Sequence, residues 1–372
     1  MHVEALECVR CGERYDPSEV RYRCGECGSS LDVEYDYDEI SGRVSWEKLR
    51  ERTFDHFRYR EFLPVVEEEH VVRMGGGGTP LAESKVLGEE LGMDLRFKME
   101  SLNPTGSFKD RGTVVELGKA LDHGRDEIVV ASTGNMGASI AAYTARAGVE
   151  ARIYVPEGAG GPKMKQMRSH GAELVEVDGD YSDAAEKAWK DWEEKGIYLM
   201  GDYPYRGEGE KTVGFEIADQ WSPDAVVMPV GNGTLIHAVW KAFQELEKVG
   251  LVDHTPSMVG VQAEGCNTVV DALQKGYEEV RPAEEVDTVA GAIACRDPLD
   301  GEEALESVRE SGGEGVAVSD EEIMEAKRKL AEKEGIYVEE AGAASLAGLR
   351  KLQGEIEGGK VVAGMTGHGL KT

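Results

Sequence analysis

The sequence predicts an α/β fold in which two doubly wound α/β domains, each with a mainly parallel sheet, follow a small N-terminal module. Short apolar runs of strand type alternate with helical patterns through most of the chain, and this alternation is typical of parallel strands covered by helices on both faces. A chain of 372 residues is long enough for two domains and an appendage. The appendage is expected at the N-terminus, because four of the six cysteines cluster there.

The cysteine cluster consists of two Cys-x-x-Cys pairs with twelve residues between them. A glycine follows each pair and allows the tight turns that bring four sulfurs together. This spacing predicts a closed, tetrahedral structural zinc site; two disulfides or free thiols are the alternatives. The predicted ligands are Cys8, Cys11, Cys24 and Cys27. Cys266 and Cys295 stand alone, and each is predicted to be a small buried apolar residue.

The segment 30–74 is rich in acidic and aromatic residues, contains one short predicted helix at 46–52 and carries no chemical signal. The glycine run 75–78, followed by Thr79 and Pro80, then breaks the chain and opens the main body. In the main body we expect a helix at 137–147 and short strands at 128–131, 151–156, 172–177, 225–230, 258–261 and 360–364.

This element pattern divides the chain into three parts. Residues 1–36 form the ribbon module, residues 119–205 form a small α/β domain, and residues 37–118 together with 206–372 form a large α/β domain. Ligands of such folds bind at the carboxyl ends of the parallel strands, where the glycine clusters of this sequence fall.

The composition argues against some classes of partner. The formal net charge is −30, from 72 acidic and 42 basic side chains, and such a surface repels nucleic-acid phosphates and anionic membranes. No apolar run approaches the roughly 18 residues of a spanning helix, and the first residues lack a basic region followed by an apolar one, so we expect a cytoplasmic protein. The acidic surface also fits a salty cytoplasm, where screening over a few ångströms removes most self-repulsion.

Lys109 is the first candidate for a reactive group. It lies in the loop Asn103-Pro104-Thr105-Gly106-Ser107-Phe108-Lys109-Asp110-Arg111-Gly112, among turn formers, an aromatic ring and opposite charges. A lysine that forms an imine needs a partly desolvated amine with a lowered pKa, and this setting favours one. The alternative is a solvated lysine in a polar loop.

Two further loops follow predicted strands and open predicted helices. In Ser132-Thr133-Gly134-Asn135, the backbone donors at a helix start suit an anion such as a substrate carboxylate, although a plain helix cap has the same pattern. In Gly231-Asn232-Gly233-Thr234, the backbone amides suit a phosphate, although a tight turn has the same pattern. Near the C-terminus, Thr366 places a hydroxyl at the end of a strand.

A reactive lysine, two anion-binding loops and a hydroxyl meet the needs of pyridoxal phosphate, which requires an imine, a phosphate cradle, and groups beside its ring hydroxyl and ring nitrogen. On these motifs the whole chain, from the cysteine ribbon to the tail Thr366-Gly367-His368-Gly369-Leu370-Lys371, resembles the threonine synthases. These are fold type II pyridoxal-phosphate enzymes, similar to the tryptophan synthase β-subunit. The resemblance implies that fold, with the cofactor on the large domain.

The resemblance also implies residue roles. Lys109 would form the imine and then carry protons, Asn135 would lie against the ring hydroxyl, and Thr366 would face the ring nitrogen. A neutral hydroxyl there leaves the ring nitrogen largely unprotonated, which favours elimination and replacement over transamination. The cofactor phosphate would be held by Gly231, Asn232, Gly233 and Thr234, and the substrate by Ser132, Thr133 and Gly134.

The implied reaction converts O-phospho-L-homoserine and water to L-threonine and phosphate by γ-elimination and β-replacement. The implied partners are this small amino-acid phosphate and, by analogy with the family, a second copy of the chain in a homodimer. Arg206 is a candidate for binding the substrate phosphate, because its fork matches phosphate bidentately. The alternative is a surface arginine paired with Glu208 or Glu210.

The sequence departs from the family pattern at two places. Tyr203 and Glu210 stand where many threonine synthases have Asn and Gln, and Gly231-Asn232-Gly233-Thr234 replaces Gly-Asn-x-Gly-Asn. Three other functions stay open: a cysteate synthase-like replacement on O-phosphoserine, a serine/threonine dehydratase, and a zinc-ribbon binding protein on an inactive enzyme fold. The retained Lys109 argues against the last, and the C-terminal tail favours a threonine synthase over a dehydratase.

Overall fold

A computed structural model describes residues 2–65, 67–356 and 358–372. None of the described helices has both the length and the hydropathy needed to cross a bilayer. The strands are β1 (Val3–Cys8), β2 (Arg14–Tyr15), β3 (Leu31–Tyr35), β4 (Leu81–Glu83), β5 (Asp94–Lys98), β6 (Glu127–Ala131), β7 (Glu150–Pro156), β8 (Glu173–Val177), β9 (Tyr198–Leu199), β10 (Ala225–Pro229), β11 (Ser257–Ala263), β12 (Glu314–Val318) and β13 (Lys360–Gly364). The α-helices are α1 (Tyr37–Ser41), α2 (Trp46–Arg50), α3 (Leu87–Leu91), α4 (Lys109–Asp122), α5 (Asn135–Ala147), α6 (Pro162–Ser169), α7 (Tyr181–Lys195), α8 (Pro204–Glu210), α9 (Thr212–Gln220), α10 (Thr234–Lys248), α11 (Thr268–Lys275), α12 (Gly301–Glu310), α13 (Asp320–Lys329) and α14 (Glu340–Lys351).

The largest sheet has six strands in the order β12-β11-β10-β13-β5-β4. Its strands pair in parallel, except that the edge strand β4 runs antiparallel to β5. Every residue of β10 is buried, as expected for a central strand covered by helices on both faces. The prediction of an α/β fold with mainly parallel sheets is confirmed.

The second sheet has four parallel strands in the order β8-β7-β6-β9. These strands all lie within the predicted small domain, residues 119–205. Helix α4 buries Val114, Val115 and Leu117 in the same apolar core. The helix that begins at Lys109 therefore packs with the small sheet, and the predicted boundary at residue 119 falls inside it.

The N-terminal ribbon is a three-stranded antiparallel sheet in the order β2-β1-β3. It has no separate core, because its buried side chains share one apolar cluster with the segment 59–62 and with helices α9 and α10. That cluster includes Leu6, Val33, Tyr35, Tyr59, Phe62, Phe215 and Leu246. The ribbon is thus packed onto the large domain.

Candidate active site

Hydrogen bonds bring together four loops that follow the carboxyl ends of parallel strands. Phe108 N donates to Thr366 O at 3.0 Å, and Ser107 forms a β-bridge with Gly367, so the Lys109 loop lies against the segment after β13. The loop after β6 reaches this place through Asn135, and the loop after β10 reaches it through Asn232. This is the edge at which ligands of parallel sheets bind.

Lys109 is largely buried between two carboxylates. Its Nζ donates to Glu210 Oε1 at 3.0 Å and to Asp202 Oδ1 at 3.4 Å, and it lies 4.6 Å from the centre of the Phe108 ring. Burial lowers the pKa of Lys109, but the charges of Asp202 and Glu210 outweigh it and the net pKa is raised. The prediction of a lowered pKa is therefore wrong, because neither carboxylate is near Lys109 in the sequence.

A buried network of charges fixes the start of α4. Arg111 is fully buried and donates to Glu100 at 2.6 Å and to Glu216 at 2.7 Å. Glu216 also accepts from Lys98 at 2.7 Å. Because breaking one partner of such a network leaves an unpaired buried charge, these contacts hold the Lys109 loop rigidly.

The loop before α5 combines a cap with an open surface. Gly137 N donates to Ser132 Oγ at 3.0 Å, so Ser132 does serve as a local cap. Asn135 Nδ2 donates to Glu339 Oε1 at 2.7 Å, while the buried Asn135 Oδ1 has no hydrogen-bond partner in the described chain. Over Gly134 an added Cβ would meet nothing within 4 Å. Sequence reasoning missed Glu339, which lies immediately before α14 and looks like an ordinary acidic helix start.

The loop before α10 directs its donors at carboxylates. Thr234 Oγ1 donates to Asp300 Oδ2 at 2.6 Å, and Asn232 Nδ2 donates to Asp202 Oδ2 at 2.5 Å. Gly233 has a φ of 99°, a left-handed conformation that favours glycine. Burial and the charge of Glu303 raise the pKa of Asp300 well above its usual range. An acidic group therefore occupies the place that an anion would take at this helix start.

Cys295 belongs to the same loop region and is not simply a buried apolar residue. It is half-buried, and its Sγ donates to Asn232 Oδ1 at 2.7 Å. Cys266 is buried as predicted, and its Sγ donates to Cys295 O at 3.1 Å.

The chain was compared with known proteins by family, by sequence and by structure. A family model described as "Pyridoxal-phosphate dependent enzyme" matches residues 72–367. Curated relatives named threonine synthase include one from Methanocaldococcus jannaschii, 45% identical over 98% of this chain and 92% of its own, and one from Methanosarcina acetivorans, 43% identical over the same shares. The chain is a member of the threonine synthase family. A relative from Halalkalibacterium halodurans is 43% identical over 84% of this chain and 88% of its own.

Solved structures agree on the fold of this threonine synthase family member. A threonine deaminase from the source abbreviated T.th. is 27% identical, with a TM-score of 0.68 over 87% of this chain and 98% of its own. A processed threonine deaminase isoform 2 from Solanum lycopersicum has a TM-score of 0.70 over 96% of this chain and 95% of its own. At 22% identity the second likeness concerns the fold alone.

The site fits the cofactor of the threonine synthase family. Asn135 Oδ1 is a buried acceptor that needs a donor, and Thr234 and Asn232 already aim donors at anionic oxygens. Thr366 is buried, and its Oγ1 lies 3.5 Å from the Cβ position of Gly342, at the end of β13. Together with Lys109, these groups are suited to a pyridine ring with a hydroxyl and a phosphate.

Arg206 is fully buried and paired with a residue that sequence reasoning missed. Its Nη2 donates to Glu116 Oε2 at 2.6 Å, and its Nε donates to Gly201 O at 2.8 Å. Burial raises the pKa of Glu116 to about 7 in spite of Arg206. The alternative of a surface arginine is wrong, because Glu208 pairs with lysines of α8–α10 and Glu210 with Lys109. With Glu116 in place, Arg206 does not present a free charge to a substrate.

The four ribbon cysteines form the only cluster of potential metal ligands found in the described part of the chain. Their sulfurs lie within 4.8 Å of one another, with separations as short as 3.4 Å between Cys8 and Cys27 and 3.6 Å between Cys11 and Cys24. Sulfurs at about 2.3 Å from a tetrahedral zinc lie about 3.8 Å apart. The donor set therefore fits a closed zinc site.

Proposed function

We propose that this protein is a pyridoxal-phosphate-dependent threonine synthase, a lyase that converts O-phospho-L-homoserine and water to L-threonine and phosphate. The observation that carries the proposal is the likeness, over nearly the whole chain, to proteins named threonine synthase. The position of Lys109 where four loops meet supports it, because an inactive relative would not need that arrangement.

The proposed residue roles follow the geometry of the loops. Lys109 holds the cofactor, Asn135 contacts its ring hydroxyl, and Thr366 faces its ring nitrogen. When bound, the cofactor takes up the amino group of the substrate and stabilises negative charge at the adjacent carbon. Its phosphate is assigned to Gly231, Asn232, Gly233 and Thr234, and the substrate carboxylate to Ser132, Thr133 and Gly134.

In this proposal Lys109 moves the protons of the reaction. It takes the proton from the α carbon of the substrate, which allows phosphate to leave from the γ carbon and water to add at the β carbon. Glu210 accepts a hydrogen bond from Lys109, and burial raises the pKa of Glu210. The pair can therefore hold one proton between them without full charge separation.

We also propose the remaining features that the family suggests. The ribbon cysteines hold a structural zinc, the chain forms a homodimer in the cytoplasm, and the domains are 1–36, 119–205, and 37–118 with 206–372. Sedimentation at several protein concentrations tests the dimer, and metal analysis of purified protein tests the zinc. A monomer, or protein without zinc after purification in its presence, would refute the respective proposal.

The deciding experiment supplies purified, cofactor-loaded protein with O-phosphohomoserine, and separately with O-phosphoserine with and without sulfite, and with serine or threonine. Threonine and phosphate from the first substrate support the proposal. Turnover only of O-phosphoserine with sulfite would identify a cysteate synthase-like enzyme, and release of ammonia from serine or threonine alone would identify a dehydratase.

A further inference from the structure

Lys371 is an unusual lysine in the described chain. Seven lysines and arginines are buried there, and six of them have a carboxylate oxygen within 4 Å. Lys371, which is 7% exposed, is the exception. Burying an ammonium without an opposite charge is costly, so its retention calls for a ligand charge or a strong structural reason.

The ammonium of Lys371 lies beside the reactive loop. Its Nζ donates to Thr105 O at 2.6 Å and to Gln166 Oε1 at 2.8 Å, and both acceptors are uncharged. An ammonium has three donors, and no third acceptor for Lys371 occurs among the described residues. Thr105 belongs to the Lys109 loop and Gln166 to α6, so Lys371 joins the C-terminal tail to both.

A second lysine of α6 lies in the same neighbourhood. Lys163 Nζ is 3.1 Å from Glu339 Oε2, and the other oxygen of that carboxylate accepts from Asn135. Asp110 and Glu339 attract the ammonium of Lys371 from a distance, and this second lysine repels it. Lys163 is partly exposed, at the start of α6, and follows the glycine-rich turn after β7. Two ammonium groups thus face one carboxylate next to Asn135, which leaves an excess of positive charge.

We propose that Lys371 and Lys163 form the subsite that binds the phosphate group leaving from the substrate, a role that Arg206 cannot fill while it is paired with Glu116. The inference rests on the proposed function, because it gives the leaving group of that reaction its binding residues. A phosphate dianion would meet the unmatched charge of Lys371 and the free donors of both lysines.

The direct test measures binding of inorganic phosphate to the cofactor-loaded protein by titration calorimetry. The cofactor phosphate fills its own loop, so added phosphate reports on a different site. Lys371→Gln and Lys163→Met should each weaken phosphate binding about ten- to hundredfold, as expected for a charged hydrogen bond. Lys165→Met is the matched control, because Lys165 is exposed on the same helix and makes no ion pair in the described chain; it should leave binding unchanged.

Kinetics separate phosphate binding from a merely structural role. Lys371→Gln should raise KM for O-phosphohomoserine about tenfold or more, while the affinity for L-threonine, read from the visible spectrum of the cofactor, stays within about twofold. Equal losses for O-phosphohomoserine and L-threonine would overturn the proposal and assign Lys371 to the carboxylate or to the fold. If Lys371→Gln does not fold, Lys163→Met must show the same selective loss, and Lys371→Arg must retain phosphate binding.

These measurements distinguish the subsite from the reaction. Turnover of O-phosphohomoserine that is unaffected by both lysine variants refutes the subsite and leaves the proposed function standing. Phosphate binding that depends on both lysines, in a protein that does not turn over O-phosphohomoserine, refutes the function and keeps the subsite for another phosphorylated amino acid.

Discussion

At Lys109 two requirements compete, because the amine must give up a proton to react while two buried carboxylates favour its charged form. Removing the side chain removes the charge as well as the nucleophile. Lys109→Ala should therefore lose turnover and also stability, by up to about 3–5 kcal/mol, less whatever Glu210 recovers by taking up a proton.

Lys109→Arg is the variant that separates the two effects. It keeps a positive charge between Asp202 and Glu210 but cannot form an imine, so it should unfold near the wild-type temperature and lack the visible absorbance of lysine-bound cofactor. Calorimetry and an absorbance spectrum check both points. Activity in either variant would show that Lys109 is not the reactive lysine.

The residues of the site differ in how far sequence could predict them. Lys109, Asn135 and Thr366 stand in recognisable motifs after strands, and the structure brings their loops together. Their partners Asp202 and Glu339 are single acidic residues far away in the sequence, and nothing local distinguishes them from surface carboxylates. The same distance explains the wrong prediction for the pKa of Lys109, since its local motif shows the burial but not the charges.

Helices α4 and α8 cross at two glycines that permit their close approach. A Cβ on Gly209 would lie 2.1 Å from Arg111 O and 2.7 Å from the Cα of Gly112, which are backbone atoms that cannot rotate away. Gly209→Ala should therefore push α8 from α4, cost about 1–3 kcal/mol or more, and disturb Lys109 at the start of α4.

Gly207→Ala on the same helix is the matched control. Its Cβ would meet only Thr234 Cγ2 at 3.8 Å, so the substitution should be neutral or stabilise the helix by up to about 1 kcal/mol. Thermal unfolding and cofactor absorbance of the two variants check the prediction. Equal stability of both would mean that the glycine contact does not hold the helices together.

Sequence predicted the elements that carry a clear periodic signal and missed those that do not. The strand predicted at 360–364 is observed at those bounds, and the helix predicted at 137–147 begins two residues earlier, at Asn135. Strand β5 alternates charged and apolar residues over only five positions, and β12 contains a glycine, so neither resembles a continuous apolar run. Their place in the sheet depends on pairing with β13 and β11, which are distant in sequence.

At the scale of the whole molecule, the ribbon shares its apolar cluster with the main body, so its metal site should affect overall stability. Removing zinc would free four thiols and loosen β1 to β3, exposing the side of the cluster formed by Tyr59, Phe62 and Phe215. A chelator should therefore lower the unfolding temperature of the main transition in calorimetry. Cys8→Ser should reproduce the shift without a chelator. An early, separate ribbon transition with an unchanged main transition would contradict this expectation.

The net charge of −30 gives the whole molecule a dependence on salt that its buried ion pairs do not share. Raising the ionic strength from 0.1 M to 1 M shortens the screening length from about 10 Å to about 3 Å, which weakens repulsion between surface carboxylates. Buried pairs such as Arg111 with Glu216 are screened much less, so they persist. The unfolding temperature should therefore rise between 0.1 M and 1 M KCl at pH 7. Close to the isoelectric point, where the repulsion is absent, the same salt step should have a much smaller effect. An unfolding temperature that falls with KCl at pH 7 would show that attractive surface pairs outweigh the repulsion, and that this acidic surface does not suit a salty cytoplasm.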